Sequence, residues 1–173
     1  MLKLRKNKKG FTLVELIVVI AIMAVLAGTV AGVTVSQLNK NTDKANYTQA
    51  NKIATTISGL ILEAPDTYIN AGTGAASDTS STTTTPTYDT FKAIDTNFVN
   101  TLTNEFQGKT ITATDSPAKG AFGVYVTADS KYIVVCFGAK TNDYKKQGYI
   151  IDTEGVVKPV ADFTAYPKTA QQQ

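Results

Sequence analysis

Hydrophobic positions change their spacing three times along this chain. From Leu16 to Val35 the sequence LIVVIAIMAVLAGTVAGVTV is apolar on every side, with no charge in 20 residues. As a helix this run rises about 30 Å, the thickness of a bilayer core. Beyond it the pattern becomes one-sided. Ala50, Ile53, Ala54, Ile57, Leu60 and Ile61 recur at spacings of three and four, while Lys40, Asp43, Lys44, Asn51 and Lys52 are assigned off that stripe. Pro65 disfavours helix at Ala64. The spacing predicts one helix from about Thr12 to Glu63, roughly 75–80 Å long. Its first half is apolar all round, and one side of its second half packs on a sheet.

Residues 70–87, NAGTGAASDTSSTTTTPT, are too polar and repetitive to bury a core and predict a surface loop. Its Ser and Thr leave two readings open, a carrier of O-linked sugar or an unmodified loop. Phe91, Ile94, Phe98, Leu102 and Phe106 then predict a second helix over Asp89–Glu105, with Asp89 as N-cap and Gly108 as stop. The period next falls to that of strands. KTITAT (109–114), AFGVYVT (121–127), KYIVVCF (131–137), GYIID (148–152) and Val156-Val157 alternate with the turns Ala128-Asp129-Ser130 and Thr153-Glu154-Gly155. Turn signals this closely spaced predict an antiparallel meander and an α+β fold. Val160, Phe163 and Tyr166 are expected to pack the C-terminal region in place, and the final Gln-Gln-Gln to fray.

Charge sharpens the picture at the N-terminus. The net charge is +3, from 17 Lys and Arg against 14 Asp and Glu. Five of the cations (Lys3, Arg5, Lys6, Lys8 and Lys9) fall in MLKLRKNKKG, which holds no acid. The rest of the chain is slightly acidic, so the positive charge sits in a tail rather than on a folded face, and a nucleic-acid-binding domain is disfavoured. Cations directly before an apolar run place the N-terminus on the cytoplasmic side and the rest outside. Small residues near the end of the run (Ala27, Gly28, Ala31, Gly32) leave a cleaved secretory signal as an alternative to a signal anchor.

Composition removes most catalytic readings. With no His, imidazole-based triads and zincin sites are excluded. The single Cys136 allows neither an intramolecular disulfide nor a cysteine zinc cluster, and its apolar neighbours make it a buried filler. Asp143, Asp152 and Glu154 match no calcium-loop spacing and read as a solvated acidic surface. No metal, cofactor or enzymatic activity is expected. One residue stands out: Glu15, a carboxylate just inside the apolar stretch FTLVELIVV. Two readings are open, an acid at the membrane interface near Lys8 and Lys9, or a functional acid that needs a partner.

The stretch KKGFTLVELIVVIAI resembles the N-terminal signature of type IV pilins and type II secretion pseudopilins: a basic leader ending in Gly10, then Phe11, then Glu15 as the fifth residue after the cut. The resemblance covers about the first 35 residues closely. It implies removal of residues 1–10 by prepilin peptidase between Gly10 and Phe11, and methylation of the new Phe11 amine. Residues 11–35 would form the transmembrane and filament-core half of the first helix and 36–64 its amphipathic half. Residues 65–108 would hold the variable loop and second helix, and 109–173 the sheet.

The mature chain would be a single-pass membrane protein surrounded by lipid. A platform protein and an ATPase would then assemble it into a helical homopolymer outside the cell, with no nucleic acid expected to bind the subunit itself. Glu15 of one subunit would face the Phe11 amine of a neighbour, so Glu15→Val or Glu15→Leu is expected to spare membrane insertion and impair assembly. Many pilins have Pro where this chain has Gly32. Gly28 and Gly32 are open to three readings: local melting of the helix in a filament, close packing against a neighbour, or two tolerated small residues. A compact head without a large inserted domain favours a major pilin, and a Lys- and Asn-rich chain with no disulfide points to a Gram-positive source; the filament would serve adhesion, twitching motility or biofilm formation. A minor pilin and a pseudopilin of a secretion or DNA-uptake system are the alternatives.

Overall fold

The structure is a computed structural model and describes residues 10–71, 88–92 and 94–168. The basic leader up to Lys9, residues 72–87 of the Ser/Thr-rich loop and the terminal glutamines lie outside the described residues. The chain divides into two units, residues 1–38 and 39–173.

In the first unit the described residues form a single element, the opening part of helix α1 (Leu13–Glu63). Its large apolar side chains are exposed, from Leu13 through Val35 to Leu38. Two of the hydroxyls placed among them are satisfied within the helix: Thr29 Oγ1 donates to the Leu26 carbonyl (3.0 Å) and Thr34 Oγ1 to the Val30 carbonyl (2.8 Å). A helix whose polar groups are satisfied internally and whose surface is apolar is suited to hydrocarbon. By length and composition it is the one described helix able to cross a membrane.

In the second unit the remainder of α1 turns one face inward. Asp43, Asn46, Ala50, Ile53, Ala54, Ile57, Ser58 and Ile61 are buried. The apolar stripe lies where the spacing predicts it, with Leu60 at its margin. Asp43 does not lie off the stripe: it is fully buried and, with Asn46, continues the same helical face by about two more turns. The helix ends at Glu63, where Pro65 opens the single turn α2 (Pro65–Tyr68).

Strands β1 (Ile69–Ala71) and β2 (Tyr88–Phe91) then form a two-stranded antiparallel ribbon. The second helix is therefore shorter than expected. Residues 88–91 are extended, and α3 runs Thr96–Glu105 with Asp95, not Asp89, as its N-cap. Phe91 still enters the core, but from a strand. Gly108 takes a left-handed φ of +80° just past the helix, the conformation that favours glycine after a helix stop.

The main sheet has the order β3-β4-β5-β6-β7, from β3 (Ile111–Thr112), β4 (Phe122–Val126), β5 (Tyr132–Phe137), β6 (Gly148–Asp152) and β7 (Val157–Val160). From β4 onward it is the expected antiparallel meander. Strand β3 departs from it, pairing parallel to β4 and making the sheet mixed. A parallel pair needs a crossover back to the same end. Because β3 is only two residues long, the loop 113–121 suffices for that return.

Both faces of the sheet are covered. One packs on α1, α3 and the ribbon through Phe122, Val124, Val126, Ile133, Val135, Phe137 and Ile151. The other holds Tyr125, Val134, Cys136, Ile150 and Phe163, with Val160 and Tyr166 packed against them. The C-terminal segment is pinned there: the Tyr125 hydroxyl donates to the Tyr166 carbonyl (2.9 Å), and the Ala128 N–H to the Pro167 carbonyl (2.8 Å). Burial on both faces explains why β4 and β5 read as unbroken apolar runs instead of alternating. Cys136 fills its place as expected. A Cβ on Gly123, its cross-strand partner, would stand 2.9 Å from the Cys136 sulfur and collide with the Thr114 carbonyl oxygen.

Candidate functional site

The predicted site residues cluster where α1 begins. Gly10, Phe11 and Thr12 precede the helix and are exposed, Phe11 at 92%. Thr12 ends the non-helical stretch, and its carbonyl accepts the first helical bond, from Leu16 N–H (3.3 Å). The Gly10–Phe11 peptide bond thus lies outside the helix, one residue ahead of its cap. A Cβ on Gly10 would meet no atom within 4 Å.

Glu15 is already partnered within its own chain. Its Oε2 accepts from Thr12 N–H (2.8 Å) and from Thr12 Oγ1 (2.9 Å), while Thr12 Oγ1 accepts from Glu15 N–H (3.3 Å). This reciprocal arrangement is a capping box, which satisfies donors that a helix start leaves open. A carboxylate in the first turn also faces the positive end of the helix dipole. The signal was legible as Thr-x-x-Glu in FTLVE, but reading Glu15 only as an acid in an apolar run passed over Thr12.

Gly28 and Gly32 lie within continuous helix, and a Cβ on either would meet nothing within 4 Å.

In the second unit, two of the three acids weighed as metal ligands are engaged elsewhere. Asp143 pairs with Lys40 (3.1 Å). Asp152 accepts from the N–H groups of Glu154 (3.2 Å) and Val156 (2.8 Å) and from Lys158 Nζ (3.0 Å), closing the β6–β7 turn. Among the described residues no three His, Cys, Asp or Glu side chains gather as a metal site.

The residue that spacing assigned wrongly is Asp43. Its carboxylate accepts from the N–H groups of Lys140 (2.9 and 3.0 Å to its two oxygens) and Thr141 (2.7 Å) and from Thr141 Oγ1 (2.6 Å). It ties the loop after β5 to α1. No local pattern marks it, because its partners lie 97 and 98 residues away.

Among known families, residues 5–31 match the prokaryotic N-terminal methylation motif. Comparison of the chain with curated proteins and with solved structures gives no match. The motif spans the Gly10–Phe11 bond, the capping box and most of the apolar run, so it falls on the site assembled above. The matched motif and the long N-terminal helix are features that the resemblance to a type IV pilin-like prepilin implies.

Proposed function

We propose that this chain is the structural subunit of a type IV pilus. Prepilin peptidase cuts between Gly10 and Phe11, the new Phe11 amine is methylated, and the mature chain is held in the membrane by α1 as a single-pass protein. A platform protein and an ATPase then draw it into a helical homopolymer outside the cell, in a filament for adhesion, surface motility or biofilm formation. The observation that carries this reading is the methylation motif placed over an exposed, non-helical Gly10–Phe11 bond at the head of an apolar helix.

The physics supports each step. A protease binds extended backbone, and the bond to be cut lies ahead of the cap rather than inside hydrogen-bonded helix. Cleavage removes five positive charges and leaves an ammonium at Phe11, four residues from Glu15. In the intact chain Thr12 satisfies Glu15. In the filament the Phe11 ammonium of a neighbouring subunit adds the opposite charge, and a buried pair of this kind sets register between docking subunits.

The test is the intact mass and N-terminal residue of the chain in material sheared from cells. The expected result is an abundant species beginning at N-methylated Phe11. A chain that retains Met1–Gly10 overturns processing. A processed chain found only in membranes overturns the pilus and points to a pseudopilin or a minor subunit. Glu15→Leu is expected to leave processing and insertion intact and to reduce filament number. Wild-type filament counts in that variant would sink the assembly role of Glu15.

A further inference from the structure

The apolar run of α1 stops at Val35, and the next charged residues on the helix are Lys40, Asp43 and Lys44. Lys40 and Lys44 are exposed. Asp43 grips the backbone of Lys140 and Thr141, and Lys40 pairs with Asp143. These contacts hold the loop between β5 and β6 against the part of the helix that follows the apolar run. Lys140, Lys145 and Lys146 are exposed on that loop. A parallel bridge between Lys119 and Gly138 adds a further exposed lysine. A shallow groove of about 300 Å³ opens there, lined in part by Asp115, Lys119, Lys145 and Lys146.

Six lysines thus gather at one end of the sheet, in a unit whose chain is otherwise slightly acidic. The carboxylates among them are Asp115, Asp143 and Asp162, besides the buried Asp43. Lys40 and Lys146 are in ion pairs, with Asp143 and Asp162. Among the described residues, Lys44, Lys119, Lys140 and Lys145 have no carboxylate within ion-pair distance. In the sequence, Lys40 and Lys44 follow Val35 by five and nine residues. The headgroup layer is about 5–8 Å deep on each side of the hydrocarbon, and lysine stems extend to place their ammonium at that level.

We propose that, before assembly, this lysine-rich end docks on the headgroups of anionic phospholipid in the leaflet from which α1 emerges. The inference rests on the membrane anchoring proposed above and adds a lipid class to it. Charge complementarity and the chain position directly after the apolar run favour a lipid surface over a soluble polyanion. Docking of this kind would hold the waiting subunit at the bilayer and would have to be released as the helix is withdrawn.

The experiment is amide hydrogen exchange on the full chain in nanodiscs, made of phosphatidylcholine alone or with a third of phosphatidylglycerol. Exchange over residues 138–147 is expected to slow on the order of fivefold in the anionic discs, the factor corresponding to one lysine held at an anionic surface. High salt should abolish the difference. Lys140→Gln with Lys145→Gln should abolish it too, whereas Lys131→Gln, at the opposite end of β5, should not. Equal exchange in both discs overturns the proposal while leaving anchoring intact. So does protection in neutral discs by inorganic phosphate or by a duplex oligonucleotide, without protection by anionic lipid. Failure of the chain to enter either disc overturns anchoring and the proposal together.

Discussion

Two buried residues test opposite sides of the packing argument. Asp43 has 0% exposure, yet it is a carboxylate, held by two backbone N–H groups and a hydroxyl of the loop after β5. Its replacement by Ala leaves those donors without an acceptor, and each buried donor so stranded costs about 1–3 kcal/mol. Asp43→Ala is therefore expected to lose about 3 kcal/mol or more, read as a lower urea midpoint with unchanged slope. An unchanged midpoint would mean that the loop finds water instead. Cys136 is the contrasting case. It also has 0% exposure, and burial, with the charge of Asp115 adding to it, pushes its thiol up to about 12. The thiolate is the reactive form. The folded chain should therefore resist iodoacetamide at neutral pH and become labelled only in denaturant. Labelling of the folded chain at the rate of a free thiol would contradict the burial seen here.

At the scale of elements, α3 offers a clean measurement. Asp95 Oδ1 accepts from Phe98 N–H at 2.7 Å, so Asp95→Ala should cost about 1 kcal/mol and speed amide exchange in the first turn of α3. Asp89→Ala should leave those amides unchanged, because the helix begins after residue 91. The contrast marks what the sequence could reveal. Helix α1 was legible over its whole length, because an uncharged run and then a regular stripe both persist for many turns, and Pro65 punctuates the end. The meander from β4 to β7 was legible because turn residues separate its short apolar runs. Three features depended on distant contacts. Phe91 has helical spacing from Ile94 and Phe98, yet it pairs with Ile69 of β1, and no local pattern announces a ribbon partner 22 residues away. The parallel pairing of β3 depends on the path of the loop 113–121. Asp43 looked like surface because its acceptor role is fulfilled by a loop nearly 100 residues later. At the N-terminal site Gly10, Phe11 and Glu15 were visible at fixed spacing, while the Thr12 capping box was visible but passed over.

For the molecule as a whole, the same carboxylates that close its turns determine how it responds to acid. Asp162 is drawn down to about 2 by its hydrogen bond from Lys146 and by those from Thr164, where the C-terminal segment crosses the sheet. The Thr127 hydroxyl holds Asp129 below its ordinary value at the β4–β5 turn. For Asp152, burial works upward, but the contacts from Lys158 and the Val156 N–H prevail and lower it. In each case the folded chain favours the ionised form more than the unfolded chain does. Their stabilisation is therefore present above the ordinary carboxylate value of 3.8 and is lost as pH falls through the depressed values toward about 2. The chain has no histidine, so no imidazole titrates between these carboxylates and neutrality. The melting temperature of the bilayer-embedded chain should accordingly be flat from neutral pH down to about 4 and fall steeply below it. Because all three acids pin turns or the C-terminal strap, exchange should rise first over residues 127–131, 152–157 and 161–168, ahead of the buried face of α1. Asp162→Asn should flatten the acid limb without altering the neutral plateau's shape. A decline that begins well above pH 4, or one that opens the α1 face first, would show that some other group governs acid unfolding.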